Sequence, residues 1–182
     1  MEMLHQIESA ILLGIQNNIR TPFLTSFFSF ITHLGDAGII WIVLCLILLI
    51  FRSTRDVGMR ASLSLLAAFL INNLLLKNIF DRTRPFYVIE SLSALIKYPS
   101  DASFPSGHSA AAFAVAAALI FAGAPKKISI PAMALAVLVA FSRLYLGVHY
   151  PTDVICGAAI GTLCAAASVF ALNRIKARKD EK

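Results

Sequence analysis

The chain has 182 residues, of which 58% are hydrophobic and only 14% are charged, and its mean hydropathy is +0.78. This composition excludes a soluble globular domain and indicates an integral membrane protein. The formal net charge is +6, but the basic residues lie in short clusters between apolar runs. The long basic face and the aromatic ladder of a nucleic-acid-binding protein are both missing, so we expect no nucleic-acid partner.

The N-terminal residues 1–36 are mixed in polarity. Apolar side chains recur at helical spacing between Leu4 and Ile15 and alternate with polar ones, a pattern typical of an amphipathic helix at a membrane interface. A second apolar segment, residues 23–31, follows Pro22. We predict two short helices here, on the outer surface or partly embedded, with a sixth membrane crossing as the open alternative.

Five apolar runs follow, each close to the roughly 20 residues that cross a bilayer. They are approximately residues 38–51, 61–76, 105–122, 128–146 and 154–172. Because lipid offers no hydrogen-bond partners to the backbone, each run is predicted to be helical. The sequence therefore predicts an all-α, polytopic transmembrane bundle over residues 37–173, with five clear spans or six, followed by a basic tail at residues 174–182.

Basic residues cluster in alternate connections between these runs. Arg52, Arg55 and Arg60 lie between the first two runs, Lys126 and Lys127 precede the fourth, and the tail contains five more. The positive-inside rule places these segments on the cytoplasmic side of the cell membrane. The connections at residues 81–104 and 147–151 are then predicted to be extracytoplasmic.

Small residues in the apolar runs are interpreted as packing residues. Cys45, Cys156 and Cys164 lie inside these runs without metal-ligand spacing, so we expect neither disulfides nor a metal site. Gly157 and Gly161 form a GxxxG pattern, which lets helices approach closely. We favour packing within the chain for this pattern, with a homodimer interface as the alternative.

The first segment with chemical character lies at the end of the second run. Lys77 and Arg84 are seven residues apart, and Pro85 follows directly. Because proline and the residue before it disfavour helix, both cations can face one outer pocket and bind an anion. Snorkelling of Lys77, Arg82 and Arg84 toward lipid headgroups explains this segment equally well when it is taken alone.

The second segment is PSGH, residues 105–108, which opens the third run. We predict that Asp101 or Ser103 caps the helix and that Pro105 takes an early helical position. The backbone N–H groups of residues 106–108 would then point outward and form a seat for phosphate. An ordinary helix N-terminus is the alternative interpretation.

The third segment is the most specific. Arg143 lies at the outer end of the fourth run, and His149 and Asp153 follow it, four residues apart. An intervening proline is predicted to start the last helix, so that Asp153 can reach back to one nitrogen of the imidazole and leave the other nucleophilic. A serine attacker, Ser106 or Ser142, is the rival arrangement, but converging cations suit phosphate better than an acyl group.

Together the three segments resemble the type-2 phosphatidic acid phosphatase superfamily of membrane lipid phosphatases, whose pattern is KxxxxxxRP, PSGH and SRxxxxxHxxxD. Every specified position is matched, in the same order and with the same spacing, by Lys77, Arg84, Pro85, Pro105, Ser106, Gly107, His108, Ser142, Arg143, His149 and Asp153.

The resemblance implies that His149 attacks phosphorus and forms a phosphohistidine, that Asp153 orients it, and that His108 protonates the leaving oxygen and then assists hydrolysis. It also implies a phosphate site built from Lys77, Arg84, Arg143, Ser106 and Gly107. No metal or other cofactor is expected, because three cations with oriented N–H donors can stabilise a phosphoryl transition state.

The expected function is that of a metal-independent lipid phosphatase in the cytoplasmic membrane, with its site facing outward and a lipid phosphate or diphosphate as substrate. Undecaprenyl diphosphate is the favoured substrate, and phosphatidylglycerol phosphate or phosphatidic acid is the alternative. A carrier or scramblase that binds phosphate headgroups is the alternative from another class, although binding alone needs no nucleophile. Haloperoxidase chemistry is not expected, because the relatives that perform it are soluble.

Overall fold

The structure is a computed structural model that describes residues 2–180, with side chains described as far as Arg178. All regular elements in this range are helical, as predicted. They are α1 (Glu2–Asn18), α2 (Pro22–Leu34), a 3₁₀ turn (Asp36–Gly38), α3 (Ile39–Ile50), α4 (Arg55–Phe69), a π-helical segment (Leu70–Leu76), α5 (Lys77–Phe80), α6 (Pro85–Val88), α7 (Gly107–Phe121), α8 (Lys126–Tyr145) and α9 (Pro151–Asp180). The last part of the predicted basic tail lies outside the described residues.

Each of the five predicted apolar runs falls on a helix, but their lengths differ. Within residues 2–180, three stretches are long and apolar enough to cross a membrane: Arg55–Val88, Lys126–Tyr145 and Pro151–Arg178. A fourth arises if α2 and the segment Asp36–Ile50, which meet at a bend of 45°, are counted as one broken span. Helix α7 has only 15 residues, so the count of five spans stays a prediction.

The N-terminal residues form two helices, as predicted, and the second helix connects directly to the first apolar run. Helix α2 begins at the N-cap Thr21, whose hydroxyl accepts a hydrogen bond from the N–H of Leu24. It joins α3 through a tight turn in which Ala37 (φ 51°) and Gly38 (φ 70°) adopt left-handed conformations. The segment at residues 23–31 thus leads into the first apolar run, and the interfacial position of α1 stays a prediction.

Helix α7 lies at the centre of the bundle and packs against α4, α8 and α9. Its alanine-rich sequence explains this position, because small side chains allow close approach of three neighbouring helices. Ala112, Ala114, Val115 and Ala116 are completely buried. The start of α7 is therefore held rigidly between the neighbouring helices that supply the other site residues.

The GxxxG pattern of α9 packs within the chain, as predicted. A Cβ atom at Gly157 would collide with the carbonyl oxygen of Ser106, and one at Gly161 would collide with the carbonyl oxygen of Ala110 and lie 2.7 Å from the backbone nitrogen of Ala114. Both glycines thus let the backbone of α9 lie directly on α7.

We expect Gly161→Val to lower the apparent melting temperature in detergent, because the added side chain would push α9 away from α7. Overpacking of this kind costs about 1–3 kcal/mol. The matched control is Gly14→Val on α1, where a Cβ meets nothing within 4 Å. Fluorescence of the single tryptophan, Trp41, which is buried in the core, reports unfolding. Equal melting temperatures for both variants would contradict this packing.

Candidate active site

Three segments that are distant in sequence meet at one end of the bundle and line one cavity. They are the region after α4, the start of α7, and the connection from α8 to α9. The polar part of the lining contains Lys77, Arg84, Gly107, His108, Arg143 and His149. The cavity continues between α3 and α4 past Cys45, Ser62 and Leu66, so a polar site opens into an apolar groove.

His149 lies in the connection between α8 and α9, after a turn in which Gly147 takes a φ of 74°. Its side chain is almost completely buried. Nη1 of Arg84 lies 3.3 Å from Nε2 of the imidazole. Because a guanidinium only donates hydrogen bonds, Nε2 is the acceptor and the ring hydrogen lies on Nδ1.

Asp153 lies behind this imidazole, in the first turn of α9, as predicted. The distance from Nδ1 of His149 to Oδ2 of Asp153 is 3.4 Å, which is longer than a normal hydrogen bond. Nδ1 has no closer partner within the described residues. The same carboxylate accepts hydrogen bonds from the hydroxyl of Ser103 (2.5 Å) and the N–H of Tyr150 (2.9 Å). Asp153 is completely buried and fixed in position.

Lys77 and Arg84 point into the protein toward a common partner, so the snorkelling interpretation is wrong for these two residues. Both form ion pairs with Asp101, and the distance from Nη2 of Arg84 to Oδ1 is 2.7 Å. Burial alone would raise the pKa of Asp101, but the hydrogen bonds and charges of Lys77 and Arg84 lower it to about 2. A carboxylate therefore occupies an anion position between the two cations.

The backbone around these cations differs from the prediction in one respect. The helix that carries Lys77 ends at Phe80, and Asp81 adopts a left-handed conformation (φ 31°). Arg84 is extended, and Pro85 begins the short helix α6 instead of ending a helix. Proline suits a first helical position because its φ is already helical there and no N–H is lost.

Arg143 is the third cation of the site and lies in the last turn of α8. Its side chain is buried, and Nη1 donates a hydrogen bond of 2.5 Å to the hydroxyl of Thr32 in α2. Nε has no hydrogen-bond partner among the described residues. Arg143 thus presents a guanidinium to the cavity with donors to spare.

His108, the second residue of α7, pairs with a carboxylate that the sequence pattern did not assign. Its Nε2 lies 3.0 Å from Oδ1 of Asp36, which lies in the turn between α2 and α3. Since a carboxylate accepts hydrogen bonds, this nitrogen carries a hydrogen. His108 and His149 therefore differ: Nε2 is a donor in the first and an acceptor in the second.

The start of α7 corrects part of the predicted phosphate seat. Ser106 is the N-cap, and its hydroxyl accepts a hydrogen bond from the N–H of Ser109. Asp101 and Ser103 are not caps, because the first binds cations and the second binds Asp153.

The PSGH backbone offers fewer free donors than predicted. Pro105 precedes the cap and lies outside the helix, so it takes no early helical position. The N–H of Ser106 donates to the carbonyl oxygen of Asp153 (3.0 Å) and is not free for a ligand. The N–H groups of Gly107 and His108, at the helix start, are the remaining candidates.

The two candidate serine nucleophiles are in poor positions for attack. Ser142 is completely buried and donates a 2.6 Å hydrogen bond to the carbonyl oxygen of Val139 within its own helix. Ser106 is also completely buried and serves as the cap of α7. Their contacts favour a structural role for both hydroxyl groups.

Sequence reasoning missed three charged or polar residues around this site, Glu8, Asp36 and Asn73, and considered Arg82 only as a possible headgroup contact. A signal existed for Glu8, because it shares a helical stripe with Leu12 and Ile15, the buried residues of α1. Asn73 lies in the π-helical segment, beside Gly107. A Cβ atom added at Gly107 would lie 3.0 Å from Oδ1 of Asn73.

The buried imidazole predicts a pH-dependent stability. The pKa of His149 is lowered from 6.5 to about 3, mainly by burial and further by the charges of Arg143 and Arg84, while Asp153 opposes the shift. Below pH 6.5 the unfolded chain binds a proton at this residue that the folded chain does not bind, so stability falls as the pH falls toward 3.

We expect the free energy of unfolding of the wild-type protein to decrease by up to about 1.4 kcal/mol per pH unit from this group between pH 6.5 and pH 4.5. The apparent melting temperature should decrease with it. His149→Gln keeps a polar side chain without this titration and should show a shallower decrease. Parallel melting curves for the two proteins across this pH range would contradict a buried neutral imidazole.

Comparisons with known proteins identify the family of the chain. A sequence model described as the PAP2 superfamily matches residues 57–176 of the chain. The chain belongs to the PAP2 superfamily. The matched range contains the cations and both histidines of the cavity, whereas Glu8 and Asp36 lie outside it.

Two curated relatives of this PAP2 chain carry the name undecaprenyl-diphosphatase. The protein from Sulfolobus acidocaldarius is 35% identical over 130 residues, which cover 71% of this chain and 62% of the relative. The Bacillus subtilis protein BcrC is 34% identical over 132 residues, which cover 72% of this chain and 66% of the relative. The chain thus spans slightly less than two thirds of the length of both.

A solved structure matches the PAP2 chain over most of its length. It is described as a transmembrane PAP2 type phosphatidylglycerolphosphate phosphatase from Bacillus subtilis, with a TM-score of 0.78 and 30% sequence identity. The match covers 96% of this chain and 89% of that structure. Together with the apolar helices, this similarity identifies the chain as an integral membrane protein.

Proposed function

We propose that this chain hydrolyses a lipid phosphate or diphosphate through a phosphohistidine intermediate on His149, without a metal ion. The observation that carries the proposal is the state of His149. Its Nε2 is an unprotonated acceptor beside Arg84, and its Nδ1 faces the buried carboxylate of Asp153. A neutral imidazole held in this tautomer next to phosphate-binding cations is an activated nucleophile.

The first step is attack of Nε2 of His149 on phosphorus, which forms an N–P bond as the bond to the leaving oxygen breaks. Nδ1 becomes part of a charged imidazolium, which Asp153 stabilises. Charge on the equatorial phosphoryl oxygens is stabilised by Lys77, Arg84 and Arg143. The incoming phosphate takes the position in which Asp101 now accepts hydrogen bonds from two of these cations.

The start of α7 completes the phosphate site. The N–H groups of Gly107 and His108 lie at the positive end of the helix dipole and can donate to a phosphoryl oxygen. Ser106 supports the site as the N-cap of this helix. Its own N–H holds the carbonyl oxygen of Asp153, which fixes the start of α7 against the start of α9.

His108 is the general acid of the first step and the general base of the second. Its protonated ring first exchanges its hydrogen bond with Asp36 for a hydrogen bond with the substrate. It then transfers a proton to the leaving oxygen. The neutral ring then accepts a proton from a water molecule that attacks the phosphohistidine. This second step breaks the N–P bond, releases inorganic phosphate and restores both histidines.

Undecaprenyl diphosphate is the substrate that we favour. Two relatives about one third identical to the chain bear that activity in their names, and the cavity continues as an apolar groove between α3 and α4, where a prenyl chain can lie. Phosphatidylglycerol phosphate is the second candidate, because the matching solved structure is described as a phosphatase for this lipid.

A binding protein that does not cleave its lipid, such as a carrier or scramblase, is the alternative from another class. Cations alone would satisfy a phosphate headgroup. A buried His149 with a dedicated carboxylate adds nothing to binding, because its Nε2 is a hydrogen-bond acceptor and phosphate oxygens are mainly acceptors as well. The arrangement of His149 therefore favours catalysis.

The site is proposed to face the extracytoplasmic side of the cytoplasmic membrane, with the C-terminus in the cytoplasm. Basic residues at the starts of α4 and α8 and near the end of α9 lie at the ends of these helices opposite the site, which suits the positive-inside rule. In a cysteine-free background, an impermeant thiol reagent should label Ser100→Cys and spare Ser53→Cys in intact cells. The reverse pattern would place the site in the cytoplasm.

The function is tested by phosphate release from the purified full-length chain in detergent with EDTA. The substrates are undecaprenyl diphosphate, phosphatidylglycerol phosphate, phosphatidic acid and diacylglycerol diphosphate. We expect turnover in EDTA, with the highest kcat/KM for undecaprenyl diphosphate. A preference for phosphatidylglycerol phosphate would support the second candidate, and specific lipid binding without phosphate release would support a carrier.

A further inference from the structure

Two charged side chains, the buried Glu8 and the half-buried Arg82, lie behind the catalytic pair, on the side away from the cavity. Glu8 in α1 is 1% exposed, and its Oε2 lies 2.6 Å from Nη2 of Arg82, which is 74 positions away in the sequence. Nη1 of Arg82 lies 2.7 Å from Oδ1 of Asp153. One guanidinium thus bridges a carboxylate of the N-terminal helix and the carboxylate that faces His149.

Other contacts fix this bridge on both sides. Oε1 of Glu8 accepts hydrogen bonds from the hydroxyl (2.5 Å) and the N–H (3.2 Å) of Thr152 at the start of α9. The guanidinium of Arg82 lies 3.8 Å from the ring centre of Tyr150 and donates to the Thr152 hydroxyl (2.8 Å). Glu8 therefore holds both the guanidinium and the first turn of the helix that carries Asp153.

A structural role alone explains this arrangement poorly. Buried charges are costly, and apolar residues of similar volume often stabilise a protein equally well. Arg82 alone would neutralise Asp153, whereas a second carboxylate shares the guanidinium and leaves the cluster Glu8–Arg82–Asp153 with one net negative charge. The cations of the cavity disfavour a positive charge on His149. The negative charge of the cluster lies on the other side of His149 and counteracts them.

We propose that Glu8 and Arg82 are positioning residues that fix the orientation of the Asp153 carboxylate and preserve its negative charge toward His149. This inference rests on the proposed function and deepens it. Arg82 holds Oδ1 of Asp153, so that Oδ2 is directed at Nδ1 of the imidazole. Glu8 keeps the guanidinium from cancelling the charge that stabilises the imidazolium during phosphoryl transfer.

The test compares Glu8→Gln, Arg82→Gln and the double variant as full-length proteins in detergent, with the substrate that the wild type cleaves best. The matched controls are Glu2→Gln, an exposed carboxylate on the same helix as Glu8, and Arg52→Gln, an exposed arginine in the turn between α3 and α4. Turnover is normalised to folded protein measured by Trp41 fluorescence, and the melting temperature of each variant is recorded.

We expect each single variant to lower kcat about tenfold, the lower end of the range known for residues that orient metal ligands through a hydrogen bond, with KM within about twofold of wild type. The double variant should lose less than the product of the two single losses, because both residues act through Asp153. Arg82→Lys keeps a charge but cannot bridge both carboxylates, so its kcat should also fall.

A purely structural role would lower the melting temperature and leave kcat per folded molecule unchanged, which would overturn the proposal. An increase in KM at constant kcat would also overturn it, because it would assign the residues to substrate binding. If Glu8→Gln yields no folded protein, Arg82→Lys decides the question by the same criterion. A wild-type protein that releases no phosphate from any substrate would instead defeat the proposed function itself.

Discussion

His149→Ala is expected to abolish phosphate release, with a decrease in kcat of at least about 10⁴-fold, because removal of a covalent nucleophile leaves only binding and electrostatic stabilisation. The side chain is buried between Arg84 and Asp153, so none of its neighbours can take over its role. The measurement is the rate of inorganic phosphate release at saturating lipid substrate.

Loss of activity must be separated from loss of the fold. His149→Asn preserves polarity and approximate size, and it should be as inactive as the alanine variant while melting closer to wild type. Retention of more than about one tenth of wild-type kcat in either folded variant would exclude His149 as the nucleophile.

His108→Ala is expected to decrease kcat on lipid substrates by about 10²–10⁴-fold, the range usual for loss of a general acid. The physical reason predicts a second feature. A leaving group that is already stable as an anion needs little protonation, so the decrease in the first-step rate should be much smaller with p-nitrophenyl phosphate than with a lipid phosphate monoester. The measurement is the ratio of wild-type to variant rate constants for the first step, formation of the phosphohistidine, in single-turnover reactions with these two substrates, because the second step uses His108 whatever the leaving group was.

An equal loss of the first-step rate constant on both substrates would contradict the role of His108 as the acid for the leaving group. Asp36→Asn provides a matched comparison. It removes the carboxylate that accepts a hydrogen bond from Nε2 of His108 but leaves the imidazole. The general acid is then still present but is held less firmly in its position. Its loss of first-step rate should be smaller than that of His108→Ala and should show the same dependence on the leaving group.

The parts of the site that the sequence predicts are those fixed by local geometry. His149 and Asp153 are four residues apart at a helix start, so the first turn of α9 brings them together whatever the rest of the chain does. Lys77 and Arg84 belong to one short segment that a left-handed residue and a proline bend back on itself. In both cases the spacing alone determines which side chains can meet.

The parts that could not be predicted depend on packing between distant segments. Asp36 meets His108 across 72 positions, and Glu8 meets Arg82 across 74. Local patterns favour other roles for such groups: a headgroup contact is one of two interpretations of Arg82, and Asp101 is one of two candidates for the helix cap. From the local sequence, a short polar side chain near a helix start is expected to cap that helix. The cations that Asp101 binds instead are brought to it only by the tertiary fold.

The number of membrane spans shows a similar limit. Apolar composition predicts where helices lie, and each predicted run is helical, but it does not determine helix length or bending. Helix α7 stops after 15 residues, and α2 meets α3 at 45°. The number of membrane spans depends on how the bilayer adapts to such short or bent helices. It is therefore determined by the lipid as well as by the chain.

The central claim is that phosphorus becomes bonded to Nε2 of His149 during turnover. The direct measurement is rapid quenching of the purified enzyme with excess radiolabelled substrate into alkali, which preserves phosphohistidine, followed by mass spectrometry of the labelled peptide. We expect a phosphoryl group on residue 149 that forms and decays at rates compatible with kcat. A label on Ser106 or Ser142, or turnover without any covalent phosphoryl enzyme, would contradict the mechanism.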